Sequence, residues 1–320
     1  VLDRFAEEMV VDDDKPDIAF RQQGNLFLVD EVGREEAEGG LALQKSLGCQ
    51  AEWLTPDEIK QRFPFCDPKG CVGGTFGPQD GTMDPWAVLM GFRNKAVSLG
   101  ARYVQAEVAS LLTKENSITG VRLSSGDKLS AKFVVNSAGA WAPQIALTAG
   151  IDLPVQPVKR QVFVIETNAR PDGVLPAIFF PSGLYCFHEH SGHFTCGKSL
   201  PDDPVGYEFG WNRQIFTEIL WEELITFVPS FDRLKVARGW AGLYAVNTFD
   251  GNAILGEWPE LKGLYLANGF SGHGFQQCHA VGRYVAELIL GQQPALDLSV
   301  FSPKRILENK PVFEGMSKIV

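Results

Sequence analysis

The chain has 320 residues, of which 45% are hydrophobic and 21% charged, enough to bury a full core and to divide into two domains. Its formal net charge of -10 gives no broad attraction for a phosphate backbone and excludes nucleic acid as a partner. No run of about 18 apolar residues could span a bilayer, and the first residues lack the basic-then-apolar pattern of a secretory signal.

The six cysteines (Cys49, Cys66, Cys71, Cys186, Cys196, Cys278) show no Cys-x-x-Cys spacing, which argues against a zinc knuckle, a dithiol redox pair or a disulfide framework. They are expected as reduced, mostly buried thiols. Val1 to Val11 reads as the end of an amphipathic helix with neither an initiator Met nor a cap, so a preceding N-terminal piece is expected. Asp12-Asp13-Asp14 before Pro16 reads as a solvated turn.

Asp17 to Asp30 suits a strand pair hinged near Gly24, and Glu35 to Leu47 suits an exposed helix ended by Gly48. Thr55-Pro56-Asp57-Glu58 is a helix start with Thr as N-cap and Pro in the first turn. Asp84-Pro85 opens a second such helix, running to Leu99 and closed by Gly100. Strand-like runs follow at Arg102 to Gln105, Val108 to Thr113, Ile118 to Leu123 and Lys128 to Val135, and a helix is expected over Pro143 to Ala149.

Pro154 to Glu166, Gly183 to His190 and His193 to Lys198 read as strands of a second, antiparallel sheet, with Ser191-Gly192 turning a hairpin. A long helix over Trp211 to Val228 packs on that sheet by its apolar spacing. A strand pair around Val236 to Val246 and Ala253 to Leu255 precedes the short buried strand Leu264 to Ala267.

That last strand feeds into Asn268-Gly269-Phe270-Ser271-Gly272-His273-Gly274-Phe275 and a final helix. Glycine lets the backbone take positive φ or come close to a bound ring. On the helix, Phe275, Cys278, Gly282, Val285 and Ile289 recur at steps of three and four and are expected to form the packing face. Free N–H groups at the helix start favour a negative charge in front of them, as a reduced flavin carries at its pyrimidine edge; glycines kept only for packing would read the same from spacing alone.

The stretch Tyr265 to Gln277, with Gly282-Arg283 and Ala286-Glu287-Leu288-Ile289, resembles the C-terminal flavin motif of the D-amino-acid oxidase, sarcosine oxidase and glycine oxidase family. Gly81 to Pro85, Gly100-Ala101, Val134 to Trp141, and Thr248 to Gly251 with Ile254-Leu255-Gly256 are similar to further markers of that family, in order along the chain. Lys159 to Val164, Trp240 to Tyr244, Asn247 to Asp250 and Gln276-Gln277 look most like its branch of mitochondrial complex I assembly factors and their bacterial relatives.

The resemblance implies a mixed α/β (α+β) fold. An FAD-binding Rossmann-like domain over 81–153 and 247–320 would join an antiparallel-sheet substrate domain over 16–80 and 154–246. The Gly-x-Gly-x-x-Gly fingerprint of the N-terminal nucleotide-binding βαβ unit is absent from the chain; either it precedes Val1 or this piece holds FAD poorly. By resemblance, Val108 meets the adenine end of FAD, Ala138, Gly139 and Trp141 lie near the diphosphate and ribityl chain, and Gly272, His273, Gly274, Phe275 and Gln276 surround the isoalloxazine. No cysteine stands at Gly242 or Leu243, where sarcosine oxidases attach flavin, so the FAD is expected to be non-covalent.

Tyr185 resembles a substrate-lining tyrosine of sarcosine oxidases, and Tyr185, Tyr244 and Gln276 are the expected catalytic residues. The family's two carboxylate anchors are missing: Gln276 stands where sarcosine oxidases carry a lysine, and no arginine stands at Tyr244. Lys159 and, in preference, Arg160 could supply positive charge to an anionic substrate, although alternation with Val158 and Val162 equally fits a solvated strand face. His188, His190 and His193 with Glu189 admit a metal reading, but a hairpin is simpler, and no metal is expected. Phe179-Phe180, Trp211 and Trp221 read as core.

The expected activity is FAD-dependent oxidation of the C–N bond of an amine or N-alkyl amino acid by hydride transfer to flavin N5, with oxygen or a protein as electron acceptor. The alternative is a low-turnover flavoprotein acting as an assembly or interaction factor. The expected setting is the bacterial cytoplasm or the mitochondrial matrix.

Overall fold

The computed structural model describes residues 2–169, 171, 173–190 (His190 through its backbone) and 192–313. Ser191, half of the expected hairpin turn, and the His190 side chain of the metal reading lie outside the described residues. The strands are β1 (Asn25–Val29), β2 (Glu52–Leu54), β3 (Gly73–Gly77), β4 (Val108–Lys114), β5 (Ser117–Leu123), β6 (Lys128–Ser130), β7 (Val134–Asn136), β8 (Val155–Thr167), β9 (Ala177–Phe179), β10 (Tyr185–His190), β11 (His193–Gly197), β12 (Leu234–Asn247), β13 (Ile254–Glu257) and β14 (Leu264–Asn268). They form an eight-stranded sheet in the order β12-β8-β11-β10-β9-β1-β3-β2 and two three-stranded sheets, β13-β14-β7 and β4-β5-β6.

Successive side chains of a strand point to opposite faces, and the large sheet uses its two faces differently. One face, carrying Leu26, Phe163, Ile165, Ile178, Cys186, Phe194 and Cys196, is fully buried. It is covered by the helical stretch 213–227 through Phe216, Leu220 and Leu224, and by the helix Pro56–Arg62 through Ile59. Each such side chain contributes about 1.5–3 kcal/mol of apolar burial. Residues four apart drift by about 40° per step around an α-helix. The wider π turn at Phe216–Leu220 takes up that drift, so that all three side chains meet the sheet. The opposite face carries Phe27, Val162, Phe179, Tyr185, Phe187 and Tyr244 and stays half-buried.

Local capping chemistry places the helix starts as the sequence predicts. Thr55 and Glu58 form a reciprocal capping box ahead of Pro56, and the Asp84 carboxylate accepts hydrogen bonds from Trp86 N (2.8 Å) and Ala87 N (3.2 Å) before the helix Pro85–Ser98. The helix Arg34–Ser46 ends ahead of Gly48 at φ 89°, the left-handed position that favours glycine.

Five expectations change. Lys128 to Val135 is two strands: Ala131 N still bonds Thr119 O on β5, whereas Val134 N bonds Gly263 O beside β14, so the halves serve different sheets. Arg102 to Gln105 is not a strand, because no described strand lies beside it, and Tyr103 and Val104 are exposed. The strands expected at Val236 to Val246 and Ala253 to Leu255 are present as β12 and β13 but do not pair with each other, since β12 pairs with β8 and β13 with β14, and the pair expected over Asp17 to Asp30 keeps only β1. The final helix, Gly274–Ile289, buries Val281, Tyr284 and Val285 against Leu255 and Tyr265, while Phe275, Cys278 and Gly282 are exposed. Its packing face is turned about a quarter of a revolution from the predicted one.

Candidate functional site

β7 and β14 run parallel with Leu266 opposite Asn136, so both chains leave the sheet side by side at their C-terminal ends. In open α/β sheets ligands collect outside those ends. Asn268 Nδ2 donates to Asn136 O (2.9 Å), and Asn136 Nδ2 donates to Ala142 O (3.0 Å) while its Oδ1 accepts from Ala138 N (3.2 Å). Two asparagines thereby lock the turn holding Ala138, Gly139 and Trp141 beside the turn holding Gly269 to His273. Asn268 is fully buried, and its Oδ1 has no hydrogen-bond partner among the described residues.

The second turn is held from the large sheet as well. Ser271 takes φ 49°, unusual for a residue with a Cβ. Its N–H donates to Ala245 O (3.1 Å), and its Oγ accepts from Asn247 N (3.0 Å) at the end of β12. At Gly269, with φ +66°, a Cβ would lie 3.1 Å from Asn247 Cβ. Asn247 is itself fixed, since its Nδ2 donates to Asp250 Oδ1 (2.8 Å) and Asn252 O (2.6 Å). Asp250 is gripped by Arg305 through Nε to Oδ2 (2.7 Å) and Nη2 to Oδ1 (3.0 Å), a buried two-point pair.

The helix Gly274–Ile289 begins after His273, with no side-chain cap. Its first amides therefore lack intrahelical partners and carry the positive end of the helix dipole. Gly139 has φ +54° and nothing within 4 Å of the place a Cβ would occupy. An uncapped helix start, a bare glycine turn and an unpartnered buried amide oxygen, gathered at the ends of two parallel strands, fit the FAD that the resemblance implies. Ala138, Gly139, Gly272, His273 and Gly274 belong to this convergence. Trp141 lies beside it, 45% exposed, with its ring 5.4 Å from that of Tyr207, whose hydroxyl donates to Ala140 O (2.9 Å). Phe275 and Gln276 sit exposed in the first helical turn. Val108 begins β4, opposite Leu123 in the three-stranded sheet β4-β5-β6.

Tyr185 and Tyr244 share the half-buried face of the large sheet. The Tyr185 ring leans across Gly197, where any Cβ would meet its phenol oxygen. Burial, then the nearby Tyr244 and Cys196, push the Tyr185 phenol well up, against the pull of Arg160; burial likewise raises Tyr244, again opposed by Arg160. Both are neutral hydrogen-bonding phenols at ordinary pH. The Arg160 guanidinium lies 5.3 Å from the Tyr244 ring centroid. The structure thus joins Tyr185 and Tyr244 around Arg160, whereas no hydrogen bond ties Gln276 to them. Phe179-Phe180 divides: Phe180 is core, and Phe179 faces the open side with Phe27 and Phe187.

Sequence reasoning did not find Ser271, Asn247 as a support for the turn, or the Asp250–Arg305 pair. Only the Asn-x-x-Asp spacing of 247–250 hinted at a local asparagine turn. Among the described residues no group of three or more His, Cys, Asp or Glu could hold a metal. The His188 Nδ1 of the metal reading accepts from Leu175 N (3.2 Å).

Residues 3–288 match the family model for FAD dependent oxidoreductases (DAO). The chain is 34% identical over 339 residues to the FAD-dependent oxidoreductase domain-containing protein 1 of Xenopus laevis, covering 95% of this chain and 68% of that protein. It is 30% identical over 247 residues to the glycine oxidase of Bacillus licheniformis, covering 75% of this chain and 63% of that enzyme. Among solved structures, L-proline dehydrogenase from P. horikoshii superimposes with a TM-score of 0.86 at 28% identity, covering 97% of this chain and 81% of that one. No helix among the described residues is long and apolar enough to cross a membrane.

Proposed function

The chain belongs to the DAO family of FAD-dependent oxidoreductases, and from that premise we propose that it oxidises the C–N bond of an amine or N-alkyl amino acid. The observation that carries this reading is the convergence of the Ala138–Trp141 and Gly269–His273 turns with the uncapped helix start at Gly274, next to the end of β12 that bears Tyr244. Relatives named for glycine and for L-proline support an amino-acid substrate.

FAD, when bound, supplies the two-electron acceptor for a hydride leaving the carbon next to nitrogen. The amides at Gly274 and beyond would face the bound group and offset negative charge on it, a fixed electrostatic contribution. Ser271 and the Asn247–Asp250–Arg305 chain hold those amides in register. Tyr185 and Tyr244, kept neutral by burial, orient the substrate by hydrogen bonding rather than by taking a proton. A neutral amine needs no strong base once positioned, so orientation supplies much of the rate. The imine product then hydrolyses in water.

The proposal includes the division into an FAD domain over 81–153 and 247–320 and a substrate domain over 16–80 and 154–246. Three of the apolar clusters support that division, with Val155 and Ala245 crossing it. It also includes non-covalent FAD, a small-molecule substrate and a possible protein acceptor for the electrons. The test is anaerobic addition of N-methyl amino acids to purified full-length protein. Loss of the oxidised flavin band supports the enzyme, and a flavin that only dithionite reduces supports the assembly-factor alternative.

A further inference from the structure

β8 and β12 pair with Arg160 opposite Gly242 and Val158 opposite Tyr244. Residues directly opposite, and residues two apart, share a face of a sheet. Arg160, Tyr244 and, through β11, Tyr185 therefore stand on the same open side. Gly242 places no side chain over this corner, and nothing lies within 4 Å of where its Cβ would be.

Arg160 is held from one edge only. Its Nη1 donates to Asp203 Oδ2 (2.8 Å) and to Lys159 O (3.4 Å), and Asp203 is itself fixed by Leu200 N (2.8 Å). Among the described residues Nε is shielded from solvent and has no acceptor, and Nη2 donates to none. Nε and Nη2 lie on one edge of the guanidinium, the edge that receives a carboxylate side-on through two parallel N–H···O bonds. Asp203 thus orients the group while leaving its side-on fork unused, and the side chain keeps 17% of its surface open.

From that fork a row of rings runs across the same face. Tyr185 and Phe187 stack at 5.0 Å, Phe187 meets Phe179 edge-on at 5.8 Å, and Phe179 stacks on Phe27 at 4.3 Å. All four are half-buried, although their strand neighbours Leu26, Ile178 and Cys186 on the other face are closed off from solvent. Strands β8 and β10 lie two steps apart, about 10 Å at the usual spacing. A phenylalanine-sized group anchored at Arg160 therefore reaches Tyr185 and Phe187, and a longer one continues over Phe179.

Resting on the reading of the site given above, we propose that Arg160 binds the substrate carboxylate beside Tyr244, and that Tyr185, Phe187 and Phe179 receive a large apolar side chain. The substrate class is then an amino acid or N-alkyl amino acid with an aromatic or long aliphatic side chain, in preference to glycine or sarcosine. Arg160 takes over the task of the two carboxylate anchors that the chain lacks.

The test uses full-length, flavin-loaded protein and isothermal titration with the unreactive carboxylates 3-phenylpropionate and propionate, together with 2-phenylethanol, which lacks the carboxylate. The expected result is that 3-phenylpropionate binds at least tenfold more tightly than propionate. Arg160→Met should weaken it at least tenfold and Arg160→Lys less, with binding of 2-phenylethanol unchanged. Phe187→Ala should weaken 3-phenylpropionate several-fold and leave propionate as it was. Equal binding of the two acids, or an unchanged affinity in Arg160→Met whose circular dichroism matches the parent, overturns the proposal. Anaerobic mixing with N-methylphenylalanine separates the two readings: Arg160-dependent binding without flavin bleaching defeats the oxidase reading and leaves the anchor standing, whereas bleaching that Arg160→Met does not slow defeats the anchor alone.

Discussion

Replacing Arg305 by Met tests whether the buried clamp holds the flavin-side turn. Arg305 is 6% exposed and the Asp250 side chain is fully enclosed. The guanidinium also donates to the carbonyls of Phe301 (2.6 Å), Asn252 (3.2 Å) and Ala253 (3.0 Å). Methionine keeps the apolar stem but leaves the carboxylate uncompensated, and breaking a buried pair from one side costs about 3–5 kcal/mol. At roughly 2 °C per kcal/mol for a chain of this size, the melting temperature should fall by about 6–10 °C. Arg305→Met combined with Asp250→Asn should cost less than the sum of the single changes, because the stranded charge is removed with its partner. Burial by itself would raise the Asp250 carboxyl. The hydrogen bonds from Arg305, those from Val312 N and Asn252 N, and the charge of Arg305 outweigh it and hold the group below the usual carboxylate range. A carboxyl depressed in the folded state stabilises fully above its unfolded value, about 3.9, and loses that contribution as pH falls through the folded value. The gap between parent and Arg305→Met should accordingly narrow below about pH 4. Thermal unfolding followed by circular dichroism from pH 3 to pH 8 gives all three readings. Strictly additive single and double variants, or a gap that widens in acid, would refute the clamp, and FAD retention after gel filtration reports whether the turn loosens with it.

Gly139→Val should cost about 1–2 kcal/mol for a left-handed β-branched residue yet lower FAD affinity by much more, since nothing in the protein meets a side chain there; equilibrium flavin titration checks it, and unaltered affinity would contradict the placement of the turn. Thr55→Ala removes the capping box and should cost about 1 kcal/mol without changing the flavin spectrum. Among the thiols of this chain, exposed Cys49 and Cys278 should react first with a chromogenic disulfide at pH 8. Cys66, pushed up to about 12 by burial, and the enclosed Cys186 and Cys196 should wait for denaturant; fast labelling of all of them would show an open sheet core.

What the sequence makes legible here is what short-range chemistry decides. Thr55 and Asp84 cap because their own side chains reach amides two or three residues on, and Gly269 and Gly272 mark a turn because their φ values of +66° and +105° exclude most other residues. Arg305 is invisible by the same logic: its partner lies 55 residues earlier, and nothing local distinguishes it from a solvated arginine at the end of a helical turn. The final helix misleads for a related reason. Gly282 and Ala286 suggest a face for close packing, yet the sheet it meets offers Leu255 and Tyr265, which keep the predicted Val285 but add Val281 and Tyr284 in place of Phe275, Cys278 and Gly282.

Strand parity is the step at which fold becomes chemistry. Lys159 and Arg160 are neighbours, so they must point to opposite sides of β8, and sequence alternation alone does not say which side is open. Pairing with β12 decides it: Arg160 falls opposite Gly242, a position without a side chain, and in line with Tyr244 two residues on. Phe179 and Phe180 are divided by the same rule, one to the aromatic row and one to the core. A one-residue slip of β8 against β12 would turn every β8 side chain over, carrying the Arg160 guanidinium to the core side and Phe163 and Ile165 out toward water. The hydrophobic face that fixes the register therefore also fixes which charge faces the site, and the candidate carboxylate anchor follows from core packing rather than from any motif around it.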